Sequence, residues 1–335
     1  MSPLRMPQVY VPVGALAVLI VLPHLLPNVF YIHILIMMFL FAALGGAWNL
    51  LGGYGGQLSL GNAAFFGVGA YASTLLVNFY NLSPWIGMLL GAILAMLLSV
   101  LVGALCFRLR GAYFAIATIG LAEVLRLAAH HFRDLTYGAQ GITVPFKGNA
   151  PLYFQFASKI PYYYIALLFM LAVILLTRQI ERSRLGNYLV AIGQNQEAAE
   201  ALGINSAWTK QQANLLMSLI TAFGGTFYAQ YIYFIDPPSA FGLGLSIQIA
   251  LVAIVGGVGT VMGAVLGAVI MESLIQFTQI AFAGTSYGLE LIVYGSLLVV
   301  MILLRPTGLI GWVSQGYGAM LRKLPGGGLV EGVER

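Results

Sequence analysis

The feature that most constrains this chain is a succession of long, uninterrupted apolar runs separated by short polar stretches. A transmembrane helix needs about 20 mostly apolar residues to cross the hydrocarbon core of a bilayer. Because the runs are continuous and do not alternate with polar residues, they exclude a transmembrane β-barrel and predict an all-α polytopic membrane protein. Ten such runs cover residues 10–27, 29–50, 58–79, 84–106, 112–130, 161–177, 213–234, 243–257, 262–282 and 287–304.

Composition excludes most other classes of protein. Of the 335 residues, 60% are hydrophobic and only 7% are charged. A soluble domain carries about 25% charged residues, which it needs to cover its surface. An ordinary soluble enzyme, a nucleic-acid-binding domain and a disordered protein are therefore excluded. We expect a lipid bilayer around this chain and no nucleic-acid partner.

The basic residues predict the orientation of the spans. Cytoplasmic loops of membrane proteins are enriched in Lys and Arg. Placing the polar stretch 178–212 in the cytoplasm puts eleven of the fifteen Lys and Arg residues on that side, together with both termini. The stretch 131–160 then becomes the main external loop. No convincing small-residue cleavage site follows the first run, so we expect an uncleaved first span.

The arrangement of the runs predicts two halves. Five runs precede the external loop and five follow it. Halves with an odd number of spans have inverted topology, which is a common plan among transporters. We therefore predict one transmembrane domain over 1–318, built as 5+5 inverted halves, and a cytoplasmic tail over 319–335. Glycines interrupt the third and eighth runs, which predicts broken or re-entrant segments.

The sequence contains no recognisable catalytic constellation. A P-loop needs Gly-Lys followed by Ser or Thr, and no Gly-Lys pair occurs anywhere in the chain. No Gly-x-Ser-x-Gly motif for a nucleophilic serine is present, nor any cysteine or histidine cluster with metal-ligand spacing. We predict no catalytic residue, no metal site and no cofactor.

The few polar residues inside the runs are candidates for lining a path, because ionisable groups at membrane depth usually face the bundle interior or a water-filled cavity. Glu123 and Arg126 are spaced i, i+3. They either flank a path for a zwitterionic solute or form a structural ion pair. Glu272 and Gln276, spaced i, i+4, pose the same alternative. Three further candidates beside the glycine-rich third run are Gln57, Ser59 and Asn62.

Glycine spacing marks two more features. Gly259, Gly263 and Gly267 recur every four residues, which favours close helix packing or, alternatively, a position along the path. The glycine-dense stretch 52–56 precedes the third run. It is either a simple loop hinge or flexible backbone suited to alternating access.

The internal stretch 178–212 predicts a short, exposed amphipathic helix. Residues 196–202 are good helix formers, and Gly203 is a typical helix stop. Such a helix either lies on the membrane surface or contacts a partner that pushes on the loop.

Glu197, Ala198 and Ala199, followed after three residues by Gly203, resemble the Glu-Ala-Ala loop of ABC importer permeases. Over residues 35–310 the order and spacing of longer motifs resemble the branched-chain amino-acid ABC permease family, specifically its LivM-type subunit. These motifs are Ser59-Leu-Gly-Asn-Ala-Ala-Phe-Phe-Gly-Val-Gly-Ala-Tyr, Arg108-Leu-Arg-Gly-Ala-Tyr-Phe-Ala-Ile-Ala-Thr-Ile-Gly, Gly138-Ala-Gln-Gly-Ile and Val255-Gly-Gly-Val-Gly-Thr.

The resemblance implies a transport subunit of the bacterial inner membrane that is not itself an enzyme. The loop around Glu197–Gly203 would form the coupling helix, which sits in a cleft of an ATPase subunit. The implied partners are two ABC ATPase subunits, a second homologous permease, a periplasmic or extracellular solute-binding protein and an amino-acid substrate.

Two departures leave the solute open. Asn62 stands where many relatives have His, and Thr136-Tyr137-Gly138 stands where many have Thr-Gly-Gly. The same superfamily includes urea and short-chain amide permeases, so these solutes remain alternatives to branched-chain or related amino acids. A stand-alone secondary transporter is the competing class. It requires a proton or sodium relay, for which Glu123, Arg126 and Glu272 are the candidates, and it gives the internal loop helix no role.

Overall fold

The computed structural model of this chain describes residues 7–26, 28–281, 295, 296 and 299. These residues are largely helical, with one ladder of two very short strands. The α-helices are α1 (Pro7–Leu25), α2 (Val29–Asn49), α3 (Asn62–Tyr80), α4 (Pro84–Cys106), α5 (Ala112–His131), α6 (Arg133–Thr136), α7 (Ile160–Glu181), α8 (Arg184–Gln194), α9 (Gln196–Ala201), α10 (Ser206–Ile232), α11 (Pro237–Phe241), α12 (Leu243–Gly256) and α13 (Gly263–Ala281).

Seven segments of the described chain are helical, long and apolar enough to cross a membrane, and they correspond to predicted runs two to eight. Shorter apolar helices, Gly14–Leu25 and Gly263–Thr278, stand at runs one and nine. Run ten and the tail lie outside the described residues, apart from 295, 296 and 299. Ten spans in inverted halves therefore stay a prediction. The seven segments are Val29–Tyr54, Asn62–Tyr80, Pro84–Cys106, Ala112–His131, Ile160–Glu181, Ser206–Ile232 and Pro237–Gly256.

Polar residues set the ends of the helices. The side chain of Asn28 accepts a hydrogen bond from the backbone N–H of Phe30 at 2.9 Å and caps the start of α2. Asn81 adopts a left-handed conformation, with φ of 53°, and ends α3. Ser83 then caps α4, and Pro84 occupies its first turn. This connection is so short that α3 and α4 have to pack as antiparallel neighbours.

The third predicted run is not broken within α3, and the non-helical backbone lies at and before the start of the run. A π-helical turn, Leu50–Tyr54, continues α2 through Gly52 and Gly53, so these glycines are helical and do not form a loop hinge. Residues 55–61 are not helical, and α3 begins at Asn62, four residues later than predicted. The π-helical turn depends on packing, because a Cβ at Gly52 would lie 2.5 Å from the Trp48 ring.

The non-helical segment 55–61 is held by side chains from other helices. The backbone N–H of Leu60 donates to Oγ1 of Thr118 in α5 at 3.1 Å. The backbone N–H of Ala63 donates to Oγ of Ser246 in α12 at 2.9 Å. Thr118 lies about 9 Å along α5 from its first residue, so the segment passes inside the helical bundle. Backbone of this kind is tolerated at membrane depth only where protein or a cavity surrounds it.

The eighth predicted run is not divided, because α12 covers it as one helix, and the division in this segment lies just before the run. Gly242, with φ of −65° and ψ of 144°, separates α11 from α12. Asp236 begins α11 with a capping box, in which its side chain accepts from the backbone N–H of Ser239 at 3.1 Å. The segment Pro237–Gly256 therefore consists of the short helix α11 followed by the 14-residue helix α12.

Helices α3, α4 and α10 pack with their backbones in contact. A Cβ at Gly69 would lie 2.1 Å from the carbonyl oxygen of Ala222, and one at Gly225 would lie 2.0 Å from that of Phe66. On the α4 side, a Cβ at Gly91 would approach the Cα of Gly69 to 3.1 Å. Small residues permit this close approach, and the three helices form a tight wall.

A second, larger core lies between α2, α7, α10, α12 and α13 and is rich in aromatic side chains. Outside it, the loop 131–160 is tied to the end of α10 by β1 (Ile142–Thr143) and β2 (Phe234–Ile235), which pair antiparallel. The buried aromatic members of this core include Phe39, Phe41, Trp48, Phe66, Phe154, Tyr162, Tyr163 and Phe227.

Candidate functional site

The internal loop contains two helices that are joined at a single residue. Asn195 ends α8 and caps α9, where its Oδ1 accepts from the backbone N–H of Ala198 at 3.1 Å. The helix α9 stands where the sequence predicts one. Gly203 follows it with φ of +88°, a conformation that glycine adopts without strain. Glu197, Ala198 and Gly203 are exposed, whereas Ala199 is buried beneath them.

Side-chain hydrogen bonds hold α9 against the start of α10. Glu200 accepts from the hydroxyl of Ser206, and from Nε2 of Gln196 at 2.8 Å. These hydrogen bonds, with that from Ser206 as the largest cause, hold the pKa of Glu200 below its usual range. Lys210 donates from Nζ to Oε1 of Gln196 at 2.8 Å. The loop therefore keeps its shape through its own polar contacts.

An exposed ion pair joins α9 to the turn between α4 and α5. Nη1 of Arg110 lies 2.7 Å from Oε1 of Glu197, and the two side chains are 57% and 76% exposed. Exposed pairs of this type contribute about 0–1 kcal/mol. The pair places two loops that we predict to be internal at the same end of the bundle.

The loop also presses directly on the π-helical turn. A Cβ at Gly193, near the end of α8, would lie 2.7 Å from the carbonyl oxygen of Tyr54. In the segment that follows the π-helical turn, a Cβ at Gly56 would in turn lie 3.0 Å from the Cα of Gly193. Backbone touches backbone here, so no layer of side chains separates α8 from residues 50–56.

The π-helical turn is linked in turn to the connection between α12 and α13. Oδ1 of Asn49 accepts from the backbone N–H of Gly259 at 2.8 Å, and its Nδ2 donates to the carbonyl oxygen of Thr260 at 2.8 Å. The amide of Asn49 thus bonds to a backbone N–H and to a backbone carbonyl group of this connection. A continuous chain of contacts runs from α8, through residues 49–56, to residues 259–260.

The three spaced glycines do not form one helical stripe. Gly259 lies in the connection before α13, with φ of +72°. Gly263 begins α13, and Gly267 lies one turn further along it. A Cβ at Gly267 would lie 1.8 Å from the carbonyl oxygen of Val252 in α12. Gly259 adopts a conformation that favours glycine, and its backbone N–H bonds to Asn49, which the spacing of the glycines does not reveal.

Glu123 and Arg126 pair with each other on α5. Nε of Arg126 donates to Oε2 of Glu123 at 2.8 Å, and Nη2 donates to Oε1 at 2.5 Å. The glutamate is 44% exposed and the arginine 28% exposed. Neither residue lies in the wall of the cavity described below.

The candidates beside the third run are buried in the wall around the non-helical segment. Nε2 of Gln57 donates to the carbonyl oxygen of Leu109 at 3.2 Å. The carbonyl oxygen of Ser59 accepts from Nε1 of Trp48 at 2.7 Å. Asn62 is fully buried, and neither polar atom of its amide makes a hydrogen bond.

Glu272 and Gln276 line a cavity of about 410 Å³ between α2, α10, α12 and α13. Glu272 is 2% exposed, and its Oε1 accepts from Nε2 of Gln248 at 2.8 Å. The two ion pairs among the described residues involve other carboxylates, so no described cation pairs with Glu272. The remaining wall includes His33 and Tyr228 together with the apolar residues Met37, Phe41, Phe66, Leu245 and Ile275.

The cavity lies at the opposite end of α10 from α9. Its rim includes Ile232, the last residue of α10, and the exposed residues Pro238, Ser239 and Gly244. A helix of 27 residues is about 40 Å long. The cavity therefore opens on the side that we predict to be external.

The sequence reasoning missed three polar or aromatic members of this wall, His33, Tyr228 and Gln248. Gln248 could have been predicted as a candidate, because it is the only strongly polar residue in the apolar run 243–257. His33 and Tyr228 carried no comparable signal. His33 is fixed at the rim, where its Nδ1 lies 2.6 Å from the hydroxyl oxygen of Tyr231.

The family described as "Branched-chain amino acid transport system / permease component" matches residues 28–302. The chain belongs to this family. Its members are ABC transporter permeases, which are not enzymes, and the protein is accordingly a multi-pass permease of the bacterial inner-membrane type.

The chain is similar to the high-affinity branched-chain amino acid transport system permease protein LivM of Salmonella typhimurium, with 26% identity over 305 residues, 83% of this chain and 69% of the relative. It is 29% identical to LivH of Escherichia coli over 141 residues, 42% of this chain and 44% of that protein. The nucleoside ABC transporter permease protein NupC of Lactococcus lactis is 26% identical over 211 residues, 58% of this chain and 64% of NupC. No solved structure matches the chain.

Proposed function

We propose that this protein is the transmembrane permease subunit of an ATP-driven importer for branched-chain or related amino acids. The observation that carries the proposal is the family match over residues 28–302. The similarity to LivM, over most of this chain, supports the choice of solute. With α9 as a docking helix, the chain supplies the gated path, and ATP hydrolysis takes place on separate subunits.

The coupling loop would act through backbone contacts. Glu197, Ala198 and Gly203 present an exposed surface to an ATPase, and the buried Ala199 anchors that surface to the permease. Two ATPases that close on ATP would drag α8 and α9. The contact at Gly193 and the bonds of Asn49 would then carry the displacement towards the connection between α12 and α13. That connection leads into α13, the helix of Glu272.

The other partners follow from the same assignment. A second homologous permease would complete the pair, and a solute-binding protein would dock at the external end, near the rim of the cavity. Both termini would lie in the cytoplasm. Gln57, Ser59, Asn62, Glu123 and Arg126 remain candidates for the path, although they lie apart from the cavity.

A urea or short-chain amide permease is the second candidate function. The observation that favours it is the pair of neutral amides, Gln248 and Gln276, in the cavity wall. Neutral amides suit a neutral amide solute, since each can donate and accept. The similarity to NupC, a nucleoside permease by name, shows why the solute needs a direct measurement.

The first test is purification of the tagged chain from its native membrane in mild detergent, followed by mass spectrometry. We expect stoichiometric P-loop ATPases and a second permease. Reconstitution of this complex with its binding protein should then give ATP-dependent uptake of leucine but not of urea. Recovery of the chain alone, folded and monodisperse, with uptake that follows a proton or sodium gradient, would overturn the proposal.

A further inference from the structure

Glu272 and Lys210 are the two charged side chains that lie almost fully buried among the described residues. Glu272 lies on α13, and among the described residues it accepts a hydrogen bond from the neutral amide of Gln248. Burying an unpaired carboxylate is costly, so a buried carboxyl group is either neutral or completed by a cation. Neither described ion pair involves this residue. The recorded hydrogen bond reaches Oε1, and no described cation lies beside the carboxyl group.

The cavity beside Glu272 has two chemically different walls. Glu272, Gln248 and Gln276 bring polar groups together on one side. Met37, Phe41 and Phe66 are among the apolar residues that line the rest. A volume of about 410 Å³ lies within the usual range of small-molecule sites, about 300–1,000 Å³. This shape suits a small molecule with an apolar tail and a charged head, whose ammonium group would face Glu272 and whose carboxylate would accept from the amide of Gln276.

We infer that this cavity binds an aliphatic amino acid through its ammonium group, with the carboxylate of Glu272 as the counter-ion. Gln248 is a positioning residue, since its amide fixes one carboxylate oxygen at 2.8 Å and leaves the other for the ligand. The apolar wall accepts the aliphatic side chain. This inference rests on the proposed function, and it names the group that would distinguish amino acids from neutral solutes.

Transport by the reconstituted complex, with its ATPases, second permease and binding protein, tests the inference. In Glu272→Gln we expect leucine uptake to fall at least tenfold while basal ATP hydrolysis persists. Glu272→Asp, which keeps the charge, should recover part of the uptake. Asp134→Asn, in the external helix α6, removes an equal charge from an exposed site and should leave uptake unchanged.

Charge-selective labelling provides a measurement that does not depend on transport. The single cysteine, Cys106, is replaced by Ala, and Gln276→Cys places a thiol one helical turn from Glu272. A cationic thiol reagent should modify this cysteine faster than an anionic reagent of similar size, and leucine should slow both reactions. Adding Glu272→Gln should reduce the preference about tenfold.

The outcomes separate this inference from the proposed function. Normal leucine uptake in Glu272→Gln, or equal labelling by both reagents, overturns the ligand site and leaves the permease assignment intact. A wild-type complex that hydrolyses ATP but takes up no amino acid overturns both. Loss of uptake with an unchanged charge preference also overturns the site, because Glu272 would then act on the fold alone.

Discussion

The two ends of α10 differ in how their charges are satisfied. At the α9 end, Glu197 pairs with Arg110, and Glu200 accepts from Ser206 and Gln196. At the other end, the described partner of the Glu272 carboxyl group is the neutral amide of Gln248. If α9 docks an ATPase and the cavity binds the solute, as we propose, the docking surface is held in shape by its own polar contacts, whereas the binding site keeps a carboxyl group for its ligand. Docking and recognition would then make opposite demands on polar side chains.

The largest effect is expected from blocking the contact between α8 and the π-helical turn, which we propose links the two ends of the bundle. In Gly193→Leu the new side chain meets the carbonyl oxygen of Tyr54, and overpacking of this kind costs about 1–3 kcal/mol. We expect ATP hydrolysis to lose its dependence on loaded binding protein, although the permease still assembles. The check is ATPase activity with and without the binding protein. Wild-type stimulation in this variant would show that α8 does not transmit the motion.

A smaller effect is expected at Gly203, where there is space but the backbone is unfavourable. Nothing lies within 4 Å of a Cβ at this position, and φ is +88°, so Gly203→Ala should cost about 1 kcal/mol. Gly120→Ala is the matched control, since it also has open space but lies within α5. That change should be neutral or stabilise the helix by up to about 1 kcal/mol. Thermal unfolding of both variants measures the difference, and equal shifts would contradict it.

The ion pair between Arg110 and Glu197 should matter less to stability. Both side chains are more than half exposed, so a double-mutant cycle with Arg110→Ala and Glu197→Ala should give a coupling energy of about 0.2–1 kcal/mol. High salt should remove most of it. A coupling energy several times larger would mean that the pair is shielded from solvent in the assembled complex.

The smallest expected effect is a pH dependence of α9. Hydrogen bonds, first that from Ser206, hold the pKa of Glu200 below its usual range in the folded loop. Their contribution is therefore present above the unfolded pKa of about 4.3 and is lost as the pH falls through the lower folded value. Amide hydrogen exchange over 196–206, corrected for the intrinsic rate, should accelerate on acidification. Ser206→Ala should weaken this dependence, and an equal dependence in both proteins would exclude the mechanism.

Local features were predictable and contacts between distant segments were not. Helices α2 to α5 follow directly from apolar runs, and α9 follows from good helix formers before Gly203. Glu123 and Arg126 meet because they are spaced i, i+3 on one helix. In contrast, Gln248 and Glu272 are 24 residues apart and meet only because α12 packs on α13.

The start of α3 is another feature that the sequence pattern did not predict correctly. The sequence predicted that glycines interrupt the third run, but α3 is continuous from Asn62, and the glycines at 52–53 before it are helical. Trp48 stands one turn before Gly52, its ring fills the space beside that glycine, and its Nε1 bonds to the carbonyl oxygen of Ser59. No pattern within the run records where that ring lies.

The non-helical segment 55–61 has a consequence for biosynthesis. Two of the side chains that satisfy the backbone around it, Thr118 and Ser246, belong to helices that are synthesised later. Unpaired backbone groups are costly in hydrocarbon, so this stretch cannot rest in lipid when it first leaves the ribosome. We therefore expect this stretch to remain next to water or other protein until α5 and α12 have been made. Seven residues that form no helix would in this way delay the release of the third span into the bilayer.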